Sequence, residues 1–315
     1  MTSSAGAPAA PQIPESDLIQ AVPLRRPGRI VVAVILVVLL GLFVYGAATN
    51  SAYEWSTFGS YLFDQRVSQA ALITLELTVL SMIIAVALGV VLAVMRMSDN
   101  PVLKSVAWLY LWIFRGTPIY VQLVFWGLIT TIYKHIDLGV PFMVQFVHLD
   151  TGSWLTPFVM AFLGLGLNEA AYMAEIVRAG IGSVDEGQNE AAVALAMTWP
   201  QTMRRVVLPQ AMRVIIPPTG NEVISMLKTT SLVIGVPYTA DLYSVSRQIG
   251  GVLYRPIPLL LVASAWYLAI TSVLMVGQYF LEKRYSRGAS RVLTTKQLQA
   301  LATAQAAEPG NGGTV

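Results

Sequence analysis

Six apolar runs divide this chain, at residues 30–48, 70–95, 107–132, 157–177, 214–236 and 257–280. Each approaches or exceeds the roughly 20 residues that a helix needs to cross a bilayer. Inside lipid only helices and closed barrels satisfy their own backbone groups, and barrel strands are about half this length. The expectation is therefore an all-α integral membrane protein with about six transmembrane helices. Only 12% of the residues are charged, against about 25% in an ordinary soluble domain. The chain has no cysteine, which excludes disulfides and thiolate metal sites.

The segments between the runs set a direction. Counting from a cytoplasmic N-terminus, fourteen of the 20 Lys and Arg residues fall on the inner side, among them Arg25, Arg26, Arg29, Arg96, Lys104, Arg178, Arg204, Arg205 and Arg213. Four (Arg66, Lys134, Arg247, Arg255) fall outside, and Arg115 and Lys228 lie within runs. This bias places both termini in the cytoplasm of a multi-pass cell-membrane protein, and a net charge of +3 needs no nucleic-acid partner. Residues 1–24, rich in Ala, Pro and Ser, read as a disordered cytoplasmic tail, and 285–315 as a solvated cytoplasmic C-terminal tail. The first apolar run is too long for the core of a cleaved signal peptide and is read as an anchor.

One inner segment is neither lipid-like nor a simple loop. EAAVALAMTWPQTMRRVVLPQAMRVIIPP, residues 190–218, follows Asp185-Glu186-Gly187-Gln188, a D-x-x-Q capping box. Glu186 and Glu190 complement the dipole of the short helix that this box starts. Thr198-Trp199-Pro200-Gln201 repeats the device, giving helix, turn, helix. A helix of about 12 residues is marginal alone in water. Alanines with Val193, Leu195 and Met197 suit a groove on a partner protein, whereas an interfacial lipid helix carries bulky anchors and a basic face.

The same stretch resembles the EAA loop of binding-protein-dependent ABC importer permeases. Its flanks, FRGTPIYVQL at 114–123, AAYMAEIVRAGI at 170–181, GQNEAA at 187–192 and PPTGNEVISMLKTTSL at 217–232, are similar to the subfamily that carries polar amino acids (histidine, glutamate, glutamine, arginine, opines). The resemblance implies a type I permease domain over 68–284 with a five-helix core, and an additional N-terminal helix with its outer loop over 25–67 that wraps the bundle. It makes Glu190, Ala191, Ala192, Ala196, Met197 and Pro209 parts of a cytoplasmic coupling helix seated in an ATPase. It further implies two ATP-binding subunits, a second permease subunit (homo- or heterodimer) and an extracytoplasmic substrate-binding protein. The chain has no GxxxxGK[ST] phosphate loop, so hydrolysis falls to the partner and the chain is expected to be no enzyme. Ala196 stands where the family has glycine. Alanine is costly in the left-handed conformation that such a glycine supplies, so the expectation is a turn built differently, from Thr198 and Pro200.

Polar residues inside apolar runs are expensive and mark function or structure. At 100° per residue Asn221, Glu222, Ser225, Lys228 and Thr229 fall in one arc, with Val223, Ile224, Met226 and Leu227 opposite. With Glu169, the residues Asn221, Glu222, Ser225 and Lys228 form the expected substrate pathway; the competing reading is a buried structural network. Glu175 is expected to pair with Arg178 or an arginine of the coupling loop, and Glu76 either attracts ammonium groups or reaches the headgroups. Arg115 is expected at the cytoplasmic surface, ending an interfacial helix, with the span proper starting at Pro118. His135 and His148 make a weak metal signal, and no metal, cofactor or catalytic residue is expected. An ATP-independent channel or secondary transporter is the alternative reading; it should show a duplicated, interrupted-helix architecture, and no internal repeat is visible in the sequence.

Overall fold

The computed structural model describes residues 27–139 and 145–285. The expected disordered tail 1–24, and all of 285–315 beyond Tyr285, lie outside those residues. By contacts the chain falls into two compact units, one ending at Tyr53 and the other starting at Glu54. The first holds α1 (Pro27–Thr49), a helix of 23 residues. Its residues Gly28–Thr49 are long and apolar enough to cross a membrane.

The second unit runs through α2 (Trp55–Tyr61), α3 (Gln65–Met97), α4 (Pro101–Gly116) and α5 (Ile119–Ile132) to a hairpin of β1 (His135–Gly139) and β2 (Gln145–Asp150). It continues through α6 (Thr151–Trp154), α7 (Pro157–Gly182), α8 (Glu186–Ala194) and α9 (Trp199–Thr202). A π-turn at Met203–Val207 leads into α10 (Leu208–Thr229), which tightens to a 3-10 helix at Thr230–Gly235 before α11 (Leu242–Val252) and α12 (Pro256–Tyr285). The helical class holds. The hairpin is an addition that the sequence reading did not foresee: antiparallel, with His135 opposite Asp150.

Local chemistry sets these boundaries. Asp64 caps α3 by accepting from the Arg66 N–H at 2.9 Å, and Asn100 caps α4 by accepting from Val102 at 2.9 Å, with Pro101 at the first helical position. Thr156 does the same for α7, followed by Pro157. At 33 residues α3 extends about 50 Å, more than the thickness of a bilayer's hydrocarbon core.

The core forms where α3 and α7 lie against each other, around Leu77, Met82, Ala85, Leu165 and Met173. Two glycines permit that approach. A Cβ on Gly89 would meet the Cβ of Met173 at 2.6 Å, and one on Gly166 would meet the Ser81 carbonyl at 2.9 Å. Small residues at such crossings replace the hydrophobic force that lipid does not supply.

Among the described residues three helices are long and apolar enough to cross a membrane: α1, α3 and α12. The run 107–132 is not one helix, because Pro118 stops it. α4 ends at Gly116 and α5, with 14 residues and about 21 Å, starts at Ile119. The run 214–236 is likewise helical only to Thr229 before it tightens.

Candidate functional site

The segment 185–218 folds as two short helices and a continuous rod. Asp185 caps α8 by accepting from the Gly187 N–H at 2.8 Å. Gln188 does not close the expected box; its Oε1 accepts from Gln210 Nε2 at 3.2 Å, which ties α8 to α10. Thr198 and Gln201 do form their box, with the Gln201 side chain accepting from the Thr198 N–H at 2.9 Å.

The turn between the two helices corrects the sequence expectation. Ala196 has φ 55°, the left-handed conformation itself. The Ala196 N–H donates to Val193 at 2.9 Å and the Met197 N–H to Ala192 at 3.0 Å, the paired bonds of a Schellman motif. The bend is therefore built as a glycine would build it, at a strain of about 1 kcal/mol. Ala192 is buried against the body of the protein. Glu190, Ala191, Ala196 and Pro209 are exposed and Met197 is half-buried. Val193, Leu195 and Trp199 are large apolar side chains at more than two-thirds exposure. Trp199 was not singled out from the sequence, although its place just after a cap was legible.

Pro209 acts on the rod. It has no N–H to donate, so the preceding turn widens and the Leu208 N–H donates to Met203, five residues back. Helix α10 then carries Pro217 and Pro218 in its interior. Gln278 of α12, buried, donates to the Pro217 carbonyl at 2.8 Å and to Glu282 at 2.8 Å. Gly220 leaves the room that Gln278 occupies. No local signal in the sequence marks Gln278: the two prolines orphan the carbonyls of Arg213 and Val214, four residues back, and not the Pro217 carbonyl that it bonds.

The expected polar stripe is divided between neighbours. Glu169 on α7 is 8% exposed, and its Oε1 has no hydrogen-bond partner among the described residues. The group beside it is Glu222 of α10, close enough for the two carboxyls to interact. Asn221 and Lys228 lie at the other edge of the arc, where they line a groove of about 310 Å³ with Thr271, Gln278 and Glu282 of α12. Ser225, between the two edges, is exposed.

Asn168 belongs to the structural network rather than to any open path. Its Nδ2 donates to Gln122 Oε1 and to the Phe114 carbonyl, both at 3.0 Å. Gln122 Nε2 donates to Phe114 as well, and to the carbonyl and hydroxyl of Thr117. The bonds to Phe114 replace the N–H that Pro118, four residues on, cannot supply at the end of α4. Glu175 pairs with Arg178 at 2.8 Å, as expected, but its other partners are Arg96 at the end of α3 and Arg115 at the end of α4, not arginines of residues 190–218.

Comparison with known proteins agrees with this geometry. Residues 85–287 match the family described as binding-protein-dependent transport system inner membrane component. The arginine transport system permease protein ArgU of Corynebacterium glutamicum is 61% identical over 294 residues, covering 93% of this chain and 91% of that protein. The histidine/lysine/arginine/ornithine transport system permease protein HisM of Escherichia coli is 38% identical over 217 residues, 68% of this chain and 86% of its own. Among solved structures, one titled an amino acid ABC transporter with histidines has a TM-score of 0.58 and 35% identity, covering 70% of this chain and 94% of that one. The chain belongs to the family of inner-membrane components of binding-protein-dependent ABC importers.

Proposed function

We propose that this ABC importer permease translocates polar or charged amino acids. The observation that carries the reading is the pair Glu169 and Glu222: Glu169 is buried with its Oε1 left without a partner among the described residues, and its neighbour across the helix pair is a second carboxyl, Glu222. Two neighbouring carboxyls inside an apolar bundle call for a cation, and the ammonium or guanidinium of an amino acid supplies one. The substrates in the names of similar proteins, arginine in one and histidine, lysine, arginine and ornithine in another, fit that chemistry. In this reading Asn221 and Lys228, toward the α12 side of α10, belong to the same pathway with Ser225, and Lys228 answers the substrate's carboxylate.

The energy comes from outside this chain. One of two ATP-binding subunits seats against α8 on the cytoplasmic side, where Glu190 to Met197 form the coupling helix, and the other serves the second permease subunit. An extracytoplasmic binding protein delivers the substrate, and a second permease subunit completes the translocation unit. ATP-driven closure of the ATPases rocks the spans from inward- to outward-facing. Residues 68–284 are the permease domain and 25–67 an additional N-terminal helix and outer loop, with both termini cytoplasmic and about six crossings in all.

The test is ATP-dependent uptake of labelled arginine by the reconstituted complex, with Glu169→Gln and Lys228→Met compared with the parent. Uptake should fall by an order of magnitude or more in Glu169→Gln. Normal uptake in both variants removes the pathway, and uptake without ATP removes the importer reading.

A further inference from the structure

Three guanidinium groups converge on one carboxylate at the end of α7. Glu175 accepts from Arg96 and Arg178, and Arg115 stands 3.7 Å away. One carboxylate balances one of these charges, so the cluster keeps a positive surplus. Beside it lies a cavity of about 600 Å³ lined by Arg96, Arg178, Lys104, Ser105 and Trp108, with no carboxylate among its lining residues. Lys104 makes no ion pair among the described residues. Three cations and a hydroxyl thus border a space of ligand size, and the one carboxylate beside it, Glu175, matches only part of their charge.

The wall of that cavity says what kind of anion fits. Lys104, Ser105 and Trp108 all stand on α4, whose outward face is apolar and exposed at Val102, Val106, Leu109 and Trp112. The rings of Trp108 and Trp112 stack along it, with centroids 6.1 Å apart and planes 11° from parallel. Tryptophan concentrates at the boundary between headgroups and acyl chains. A free inorganic anion gains nothing from such a surface, whereas a molecule with a phosphate at one end and hydrocarbon at the other satisfies both parts.

We propose that the Arg96–Lys104–Arg178 cavity binds the phosphate of an anionic phospholipid whose acyl chains lie along the Trp108–Trp112 face of α4. Arginine forks match phosphate oxygens in two-point contact, Lys104 adds a mobile charge and Ser105 a donor. Basic pockets between membrane helices hold anionic headgroups in this way. The site sits at the end of α7 that leads through Asp185 into α8, so a bound lipid braces the base of the coupling segment. The inference does not depend on which solute is carried.

The experiment uses the assembled complex in nanodiscs of phosphatidylcholine with or without phosphatidylglycerol. Two quantities are read: phosphatidylglycerol retained through delipidation, by mass spectrometry, and the thermal unfolding midpoint. Phosphatidylglycerol should be retained and should raise the midpoint in the parent and in Lys104→Arg. Lys104→Gln, which removes no ion pair, should retain about fivefold less, the effect of one basic side chain at an anionic surface. Lys283→Gln, at a basic position on α12, should behave as the parent. Equal retention in Lys104→Gln and the parent overturns the proposal, as does an equal loss in Lys283→Gln. Inorganic phosphate raising the midpoint as far as the lipid does would overturn the lipid assignment.

Discussion

Asn168 of α7 donates to the side-chain oxygen of Gln122 on α5 at 3.0 Å, and the two amides share the carbonyl of Phe114. One polar knot thus joins three helices at the point where Pro118 breaks the chain. Replacing Asn168 by leucine should remove about 1 kcal/mol from the stability of the permease, in the range for buried bonds between membrane helices. Gln122→Leu should cost more, since it strips donors from both Phe114 and Thr117. A double-mutant cycle on the thermal or denaturant midpoint should show coupling between the two positions; strict additivity would mean that the amides do not meet.

Ala196→Gly should stabilise the protein by about 1 kcal/mol, because φ 55° costs glycine nothing. Ala196→Val should have the opposite sign and a larger effect, since a β-branched side chain tolerates this conformation least. Chemical denaturation of the isolated permease decides between them. Destabilisation by glycine would show that the left-handed turn is absent.

Gly166→Val should prevent close contact of α3 with α7, because its side chain would collide with the Ser81 backbone and Ile84. The expected result is loss of several kcal/mol or failure to accumulate in the membrane. Gly46→Val, on α1 with open space around its Cβ position, serves as the control and should accumulate normally.

Leu195→Glu and Trp199→Glu should detach the ATPase subunits from the permease without unfolding it. Both side chains are more than two-thirds exposed, so the folded chain loses little. Substrate-stimulated ATPase activity and co-purification of the ATPase subunits should fall at least tenfold while the thermal midpoint moves by less than about 0.5 kcal/mol equivalent. Unchanged ATPase activity would place the docking surface elsewhere.

Much of this architecture is written locally in the chain. Pro118 and its neighbours announce the break that divides 107–132, and Arg115 is found at the end of α4 as its spacing implied. Asp185 and Thr198 mark the starts of α8 and α9 because a cap depends on residues within one turn. What the sequence hides is which helix stands beside which. A helical wheel puts Glu222 and Lys228 in one arc, yet Glu222 turns to Glu169 while Lys228 borders α12, a choice made by packing. Arg96 and Arg115 reach Glu175 across separations of 79 and 60 positions that no local pattern encodes. The hairpin between α5 and α6 has no strong alternation to announce it. Ala196 shows the reverse case, where a propensity argument is right about the strain and wrong about the outcome, because two Schellman bonds outweigh it.

From Trp199 to Thr229 the backbone never leaves a helical state, so a single shaft runs from the exposed indole to the lysine near its far end. Over the 23 positions separating Trp199 from Glu222 that shaft is about 35 Å long. A loop would absorb a displacement; a shaft passes it on. Its compliant points are the widened turn ahead of Pro209 and the proline pair at 217–218, which act like universal joints, allowing a swing at one end to arrive at the other as a rotation.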